Sequence, residues 1–437
     1  DILYRLDTTE IPGTDNLHNA KEIIKESQER ASRAFKSKET FFLANGSTSG
    51  IYSMIMTVTS PRDKILIDRN CHQSVINACI LGDLVPIYVY PIIDKKWRIA
   101  VEMSLDEIER QLIKHSDIKA VVLTYPTYYG IAYNLKKIEE IVHKYDKILL
   151  VDEAHGAHLE LSEDLPPSAL SCGADATVQS THKTLLSFTQ SSMLHIQGDR
   201  IDRDKLKFML RVHQSSSPSY LLLSSLDFAV MVYETEGRYL MEGLLKNIKN
   251  FRQKVKEIDG IDIVGRDMAR NKRDKFIDIT RIWIRPKNIT GYELERTLRK
   301  DFNIQMELSD RYGILGVTSI ANTERDFDRL LKGLNTILRE TYRDKTEQSE
   351  DFIFAKTEQI FTPREVLYKS RKEILFEKSE GLISGEYIIP YPPGIPLIIP
   401  GEKISTEIIQ RVIDIIKNGG EILGLNDSSC KWINVVV

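Results

Sequence analysis

Lys183 stands in Gln179-Ser180-Thr181-His182-Lys183, after a short β-branched run and among hydroxyl and imidazole groups rather than other charges. A lysine relieved of its hydration in such surroundings is a nucleophile suited to forming a Schiff base with a carbonyl carbon. Alone the signal is weak, because most lysines are solvated surface residues. Upstream, Asp152 opens Asp152-Glu153-Ala154-His155 directly after the apolar run Lys147-Ile-Leu-Leu-Val151. An aspartate ending one strand and a lysine just past the next strand-like run form the arrangement expected for pyridoxal phosphate. The lysine would hold the aldehyde carbon, and the carboxylate would keep the pyridine nitrogen protonated so that the ring draws off electrons.

Two further stretches support this arrangement. Gly46-Ser47-Thr48 lies where a strand hands over to a helix, whose unpaired N–H groups and positive dipole end favour a phosphate. The plainer reading of the same residues is a Ser/Thr helix cap. No Gly-Lys-Ser/Thr follows, so this is not a nucleotide phosphate loop. His72 follows the second strand, where its ring would lie on a cofactor face; the plainer reading is a core histidine bonded to backbone. The letters Asp-Glu-Ala-His also occur in ATP-driven motors, but without a phosphate-loop lysine or a basic surface they have no Mg-nucleotide to serve. His155 and His158 have no third ligand at a suitable spacing, so no metal is expected.

The elements that must position these groups alternate. A helix is expected over 17–36, a strand over 40–45, a tight turn over 46–50, and a helix whose face carries Ile51, Met54, Ile55 and Val58. Strands at 64–68, 85–90, 119–124 and 147–151 then alternate with helices at 73–81, 104–114 and 134–145. The helix at 104 starts with a capping box, Ser104 with Glu107. Near-continuous apolar strands between amphipathic helices predict an α/β fold with a mostly parallel sheet covered on both faces. Ligands bind such sheets at the carboxyl ends of the strands, where all the residues above fall.

Past Lys183, a strand near 191–196, a break at Gln214–Pro218 and a long helix from about 220 to 257 are expected. Residues 261–340 read as a smaller α+β unit, with strands near 261–264, 277–284, 304–308 and 313–319 and helices at 290–301 and 323–340. The charged run Arg343–Asp351 reads as a linker. A helix near 363–379, a proline-rich segment Ile388–Glu402 and a helix near 404–417 complete the chain. The expected division is 1–245 for an N-terminal segment plus large domain, 246–345 for a small α+β domain and 346–437 for a C-terminal α+β domain.

With 437 residues, 42% hydrophobic and 28% charged, and a net charge of −3, the chain lacks the one-sided basicity of nucleic-acid or anionic-membrane binders. Its four cysteines form no C-x-x-C pair, which suits free thiols in a reducing compartment. No apolar run approaches the roughly 18 residues of a membrane helix and the N-terminus has no signal-peptide pattern, so a cytoplasmic location is expected. The chain begins at Asp1 rather than Met, so some N-terminal sequence is expected to be missing.

Asn45-Gly-Ser-Thr-Ser-Gly50, Arg69-Asn-Cys-His-Gln-Ser74, Val151-Asp-Glu-Ala-His-Gly156, Gln179-Ser-Thr-His-Lys183, Ser216-Ser-Pro-Ser-Tyr220 and Tyr391-Pro-Pro-Gly-Ile-Pro396 with Pro400-Gly-Glu402 together resemble the bacterial ornithine/lysine/arginine decarboxylases. The likeness is to the short biosynthetic branch without the N-terminal wing domain, and it extends over almost the whole chain. The proline-rich segment is its most family-specific part. The resemblance implies a fold type I, aspartate-aminotransferase-like large domain, a small domain, a C-terminal domain and a homodimer with shared active sites.

By the same resemblance, Lys183 would be the Schiff-base residue and Asp152 the pyridinium partner, with His72 stacked on the ring. Ser47, Thr48, Ser180 and His182 would surround the phosphate and His155 would lie near the phenolic oxygen, while Ser215 or Ser216 would reach the phosphate of the neighbouring subunit. Family members usually carry a His-Met-Pro-Gly-His-Lys-like stretch ahead of the point where this chain begins. The reaction implied is decarboxylation of a basic amino acid, arginine to agmatine for polyamine biosynthesis, with lysine and ornithine as alternatives. Lys183 and His182 are the candidate proton donors, and Glu402 the candidate partner of the substrate's distal cation, though it reads equally as an exposed loop residue. Transamination, retro-aldol cleavage or a catalytically inactive binding protein are the competing readings.

Overall fold

Strand Ile118–Thr124 lies inside a seven-stranded sheet ordered Glu39–Leu43, Ser192–Ile196, Ala176–Gln179, Ile148–Asp152, Ile118–Thr124, Lys64–Asp68, Val85–Val89. Ser192–Ile196 is antiparallel to both its neighbours and the other pairings are parallel, so the sheet is mostly parallel as expected. This computed structural model describes residues 2–265, 276–340, 356–391 and 394–437; the expected linker at 343–351 and Pro392 and Pro393 lie outside them.

The apolar strands are explained by two cores, one on each face. Successive side chains on a strand point to opposite faces. Ile65, Ile67, Val122 and Leu150 accordingly enter one core, whereas Leu66, Val121, Leu149 and Val151 enter the other. Helices Gly46–Val58 and Gln73–Gly82 supply Met54, Ile55, Val75 and Ile76 to the first core.

Several elements differ from expectation. The first helix is a 3-10 turn, Leu17–Asn19, followed by Ile23–Ala34. Asp15 reaches forward to accept from the backbone of Lys21 (3.0 Å), Glu22 (2.9 Å) and Ile24 (3.1 Å), which fixes the later start. The long helix is two, Tyr220–Thr235 and Gly237–Lys256, parted at Glu236. A Cβ at Gly237 would lie 2.8 Å from Leu161 Cδ2, so a larger residue there would require the Leu161 side chain to shift. Helix 363–379 shortens to Pro363–Leu367, because Arg371–Leu375 pairs as a strand with the C-terminal Trp432–Val436.

The smaller unit is a four-stranded antiparallel sheet, Ile261–Ile263, Arg281–Pro286, Ile314–Val317 and Leu308–Ser309, with helices Gly291–Phe302 and Glu324–Glu340. Its expected strand at 304–308 is only Leu308–Ser309. Helix Gly237–Lys256 runs unbroken through 245/246, and Phe251 near its end packs on Phe327, ring centroids 5.7 Å apart. The C-terminal unit has its own core around Phe376, Ile388, Ile398, Val412 and Ile433. Among the described residues, no helix is long and apolar enough to cross a membrane.

Candidate active site

A cavity of about 560 Å³ opens at the carboxyl ends of the parallel strands, and residues of all three units line it. The large unit contributes Ser47, Thr48, His72, Asp152, His155, His182 and Lys183; the small unit contributes Glu307; the C-terminal unit contributes Tyr391 and Ile395. The volume is that of an ordinary cofactor or substrate site.

Lys183 sits in the four-residue helix Thr181–Thr184, immediately beyond strand Ala176–Gln179. Its Nζ is 3.1 Å from His155 Nε2, and Nη2 of Arg281 is 3.2 Å from the opposite nitrogen, Nδ1, while also donating to the His155 carbonyl at 2.9 Å. A guanidinium only donates, so His155 Nδ1 must accept. Burial, reinforced by Lys183 and Arg281, holds the His155 imidazole well below its usual range, so the ring is neutral and its one proton sits on Nε2. That N–H can bond Lys183 only through the lone pair of an uncharged amine. Burial is the main cause that lowers the Lys183 ammonium from its ordinary range; Asp152 opposes it, Arg281 adds to it and Glu307 opposes it more weakly, the net direction being the one a nucleophilic amine requires.

Arg281 is itself fixed by its surroundings. Asp278 accepts from Thr280 Oγ1 (2.6 Å), and its other oxygen is 3.1 Å from His158 Nε2 and 3.9 Å from Arg281 Nε. Although burial alone would raise the Asp278 carboxyl, His158 and Arg281 hold it well below the usual carboxylate range. Gly130, with φ +79°, is the neighbour that makes room: a Cβ there would be 2.6 Å from Arg281 Cγ. His155 and His158 therefore turn to different partners.

At the opposite end of the cavity, helix Gly46–Val58 begins without a side-chain cap. Asn45, in the capping position, commits Oδ1 to the Ser215 backbone N–H at 3.1 Å, and Gly46 enters the helix at φ +75°. The uncapped first turn, with Gly46, Ser47 and Thr48, lines the cavity, where free N–H groups of a helix start would favour an anion. Ser180 reaches this place through Ser47, the two hydroxyls 2.6 Å apart. His182 Nδ1–H donates to the Ser191 carbonyl at 2.8 Å, leaving Nε2 as an acceptor in the neutral ring that burial favours.

Asp152 ends strand Ile148–Asp152, where Oδ1 accepts from Ala154 N at 3.1 Å. His72 caps helix Gln73–Gly82, its Nδ1 accepting from Ser74 N at 3.2 Å, and burial keeps the ring neutral. Both line the cavity with Lys183, and the residues present fit pyridoxal phosphate: an uncapped helix start for its phosphate, a carboxylate, a flat neutral ring and an amine.

One expectation requires correction. Glu402 is fully buried, and both its oxygens are engaged by Arg69 Nε (3.1 Å) and Nη2 (2.8 Å), Thr357 Oγ1 (2.6 Å) and Ile399 N (2.8 Å). A carboxylate so saturated joins the C-terminal unit to the sheet and does not meet a substrate cation. Ser215 and Ser216 are exposed and do not line this chain's cavity, which is compatible with the expectation that they reach a neighbouring subunit's phosphate; the Ser215 backbone N–H donates to Asn45 Oδ1 at 3.1 Å.

Three functional groups escaped the sequence reading. Tyr128 follows strand Ile118–Thr124, whose end carries none of the expected site residues; its ring meets His155 edge-on at 4.7 Å and its hydroxyl donates to Glu307. Arg281 was signalled by a charge inside the apolar run Ile277–Ile284, but only packing reveals its target. Glu307 had no local signal.

Residues 1–284 match the family described as Orn/Lys/Arg decarboxylase, major domain, and residues 346–422 match Orn/Lys/Arg decarboxylase, C-terminal domain. The chain is 37% identical over 435 residues to a Bacillus subtilis protein named arginine decarboxylase, covering 99% of this chain and 89% of that one. It is 35% identical over 440 residues to an arginine decarboxylase of Halalkalibacterium halodurans, covering 100% and 90%. The crystal structure of the Francisella novicida lysine decarboxylase LdcF superposes with a TM-score of 0.84 at 24% identity, over 97% of this chain and 73% of that one, and shares the fold.

Proposed function

The chain belongs to the Orn/Lys/Arg decarboxylase family, and we propose that it converts L-arginine to agmatine and CO2 with pyridoxal 5′-phosphate held at Lys183. The observation that carries the cofactor reading is the Lys183–His155–Arg281 chain, which presents a desolvated amine with a lowered pKa in a cavity bearing an uncapped helix start and Asp152. Arginine is favoured over lysine and ornithine by the two arginine decarboxylase relatives, which match along nearly the whole chain.

Ser47, Thr48 and the first-turn N–H groups of Gly46–Val58 would hold the phosphate, with Ser180 supporting Ser47. Asp152 would pair with the pyridine nitrogen, His72 would cover the ring face, and His155 Nε2–H would donate to the phenolic oxygen. When bound, the cofactor supplies an electron-withdrawing ring that accepts the electron pair released as CO2 leaves. Lys183 is the better of the two proton donors for Cα: the one proton of neutral His182 is held on Nδ1 by the Ser191 carbonyl, away from Nε2. Glu307, a carboxylate lining the same cavity and oriented by Tyr128, replaces Glu402 as the partner of the guanidinium.

The exposure of Ser215 and Ser216 suits a homodimer in which each reaches the neighbour's phosphate site, in a cytoplasmic enzyme. The test is incubation of the protein with pyridoxal phosphate and each of arginine, lysine and ornithine, with identification of the amine. Agmatine is expected; no CO2 from any of the three overturns the reading. Borohydride reduction should trap the cofactor on Lys183 and leave Lys183→Ala unlabelled.

A further inference from the structure

Arg69 directly follows strand Lys64–Asp68 and precedes His72 by three positions. Its guanidinium is buried and bonds to the C-terminal unit. Besides the two-pronged contact with Glu402, Nη1 donates to the Pro396 carbonyl at 2.7 Å and Nη2 to the Leu397 carbonyl at 3.1 Å. Every one of these acceptors belongs to the segment that carries Tyr391 and Ile395 into the cavity. Burial alone would lower the Arg69 pKa, yet Glu402 raises it, so the guanidinium stays charged in its dry surroundings.

The same segment meets His72 itself. Gln73 N donates to the Gly394 carbonyl at 3.3 Å, and a Cβ on Gly394 would stand 3.3 Å from both Cδ2 and Nε2 of His72. Gly394 has φ +82°, so both its conformation and this contact select glycine. The helix that His72 caps is gripped twice more from the C-terminal unit, by Tyr387 Oη on Asn77 Oδ1 (3.0 Å) and by Arg364 Nη1 on the Ile80 carbonyl (2.8 Å). One edge of the imidazole is thus tied to its own helix at Ser74, and a side chain on Gly394 of the C-terminal unit would crowd the other.

We propose that the C-terminal unit is a positioning element for His72: the Arg69–Glu402 pair and the Gly394 contact set the plane of the ring that faces the Lys183 cavity. Arg69, Glu402 and Gly394 touch neither cofactor nor substrate and act through the imidazole. The inference rests on the cofactor reading above for its catalytic consequence, though not for its structural content.

The test compares the full-length protein with Glu402→Gln and Gly394→Ala, each also in a His72→Ala background. In the apoprotein, the His72 ring followed by 15N NMR is expected to titrate at a higher midpoint in both variants, as a loosened ring regains water. With pyridoxal phosphate, the cofactor's dissociation constant and its induced circular dichroism should change, and kcat should fall roughly ten- to a hundredfold with KM for arginine nearly constant. In the His72→Ala background neither substitution should have a further effect. Unchanged His72 titration and unchanged cofactor dichroism, or effects that add fully to His72→Ala, overturn the proposal, even if stability falls. Should Glu402→Gln not fold, Thr357→Val, which removes one bond to Glu402, takes its place with the same expected outcomes. Failure of the parent to bind pyridoxal phosphate would instead refute the cofactor reading, and the apoprotein titration would still decide this one.

Discussion

His155 presents Nε2 to Lys183 and Nδ1 to Arg281, so one imidazole links a cation that cannot release its proton to an amine that must. Arg281 belongs to the small unit and His155 to the sheet, and the readiness of Lys183 therefore depends on how the two units dock.

Arg281→Gln frees the His155 tautomer and removes a positive charge near Lys183, which lets the lysine ammonium rise toward its ordinary range. Cofactor capture should slow by roughly tenfold at neutral pH and recover as pH is raised, since each pKa unit changes the free amine about tenfold. The rate at which the pyridoxal phosphate absorption band grows, followed against pH, checks this; a pH profile identical to the parent's would contradict it.

Asp152→Asn keeps the shape of the strand end and its bond to Ala154 while removing the charge. Cofactor should still label Lys183, yet kcat should fall by roughly a hundred- to a thousandfold, the scale on which loss of one preorganised electrostatic partner is felt. Borohydride labelling measured beside turnover separates binding from chemistry.

Glu307→Gln tests which carboxylate meets the substrate. A charge-assisted hydrogen bond is worth about 1.5–3 kcal/mol, so KM for arginine should rise roughly ten- to a hundredfold with a smaller change in kcat. Tyr128→Phe, which removes the hydroxyl donating to Glu307, should move KM the same way by less. Steady-state kinetics with arginine decide it, and an unaltered KM in Glu307→Gln would eliminate this residue as the substrate's partner.

Glu153 is buried, accepts from Ala169 N and Gln179 Nε2 at 2.7 Å each, and burial pushes its carboxyl from 4.5 up to about 8. The folded chain therefore holds a proton that the unfolded chain releases. The resulting stability is fully present below about pH 4.5 and is lost as pH rises through about 8. Glu153→Gln cannot titrate, so the decline of Tm across this window should be shallower than in the parent. Melting curves at several pH values test the prediction, and parallel declines would refute it.

The sequence by itself determined the layered, mostly parallel sheet and which strand-end residues line the candidate site. Strand runs such as Lys147–Val151 are apolar on both faces because both are covered, and the residues that follow them, His72, Asp152 and Lys183, lie at the sheet edge by chain geometry alone. These features are local: a few consecutive residues carry the whole signal. What only the tertiary structure decided is which partner each charge takes. Glu402 lies 333 positions from Arg69 yet is buried against it, and Arg281 lies 126 positions from His155 yet sets its tautomer. Whether a carboxylate or guanidinium faces a substrate or a buried counter-ion depends on which surfaces lose water when distant units pack. That desolvation is a property of the assembled interfaces, and no local run of residues encodes it.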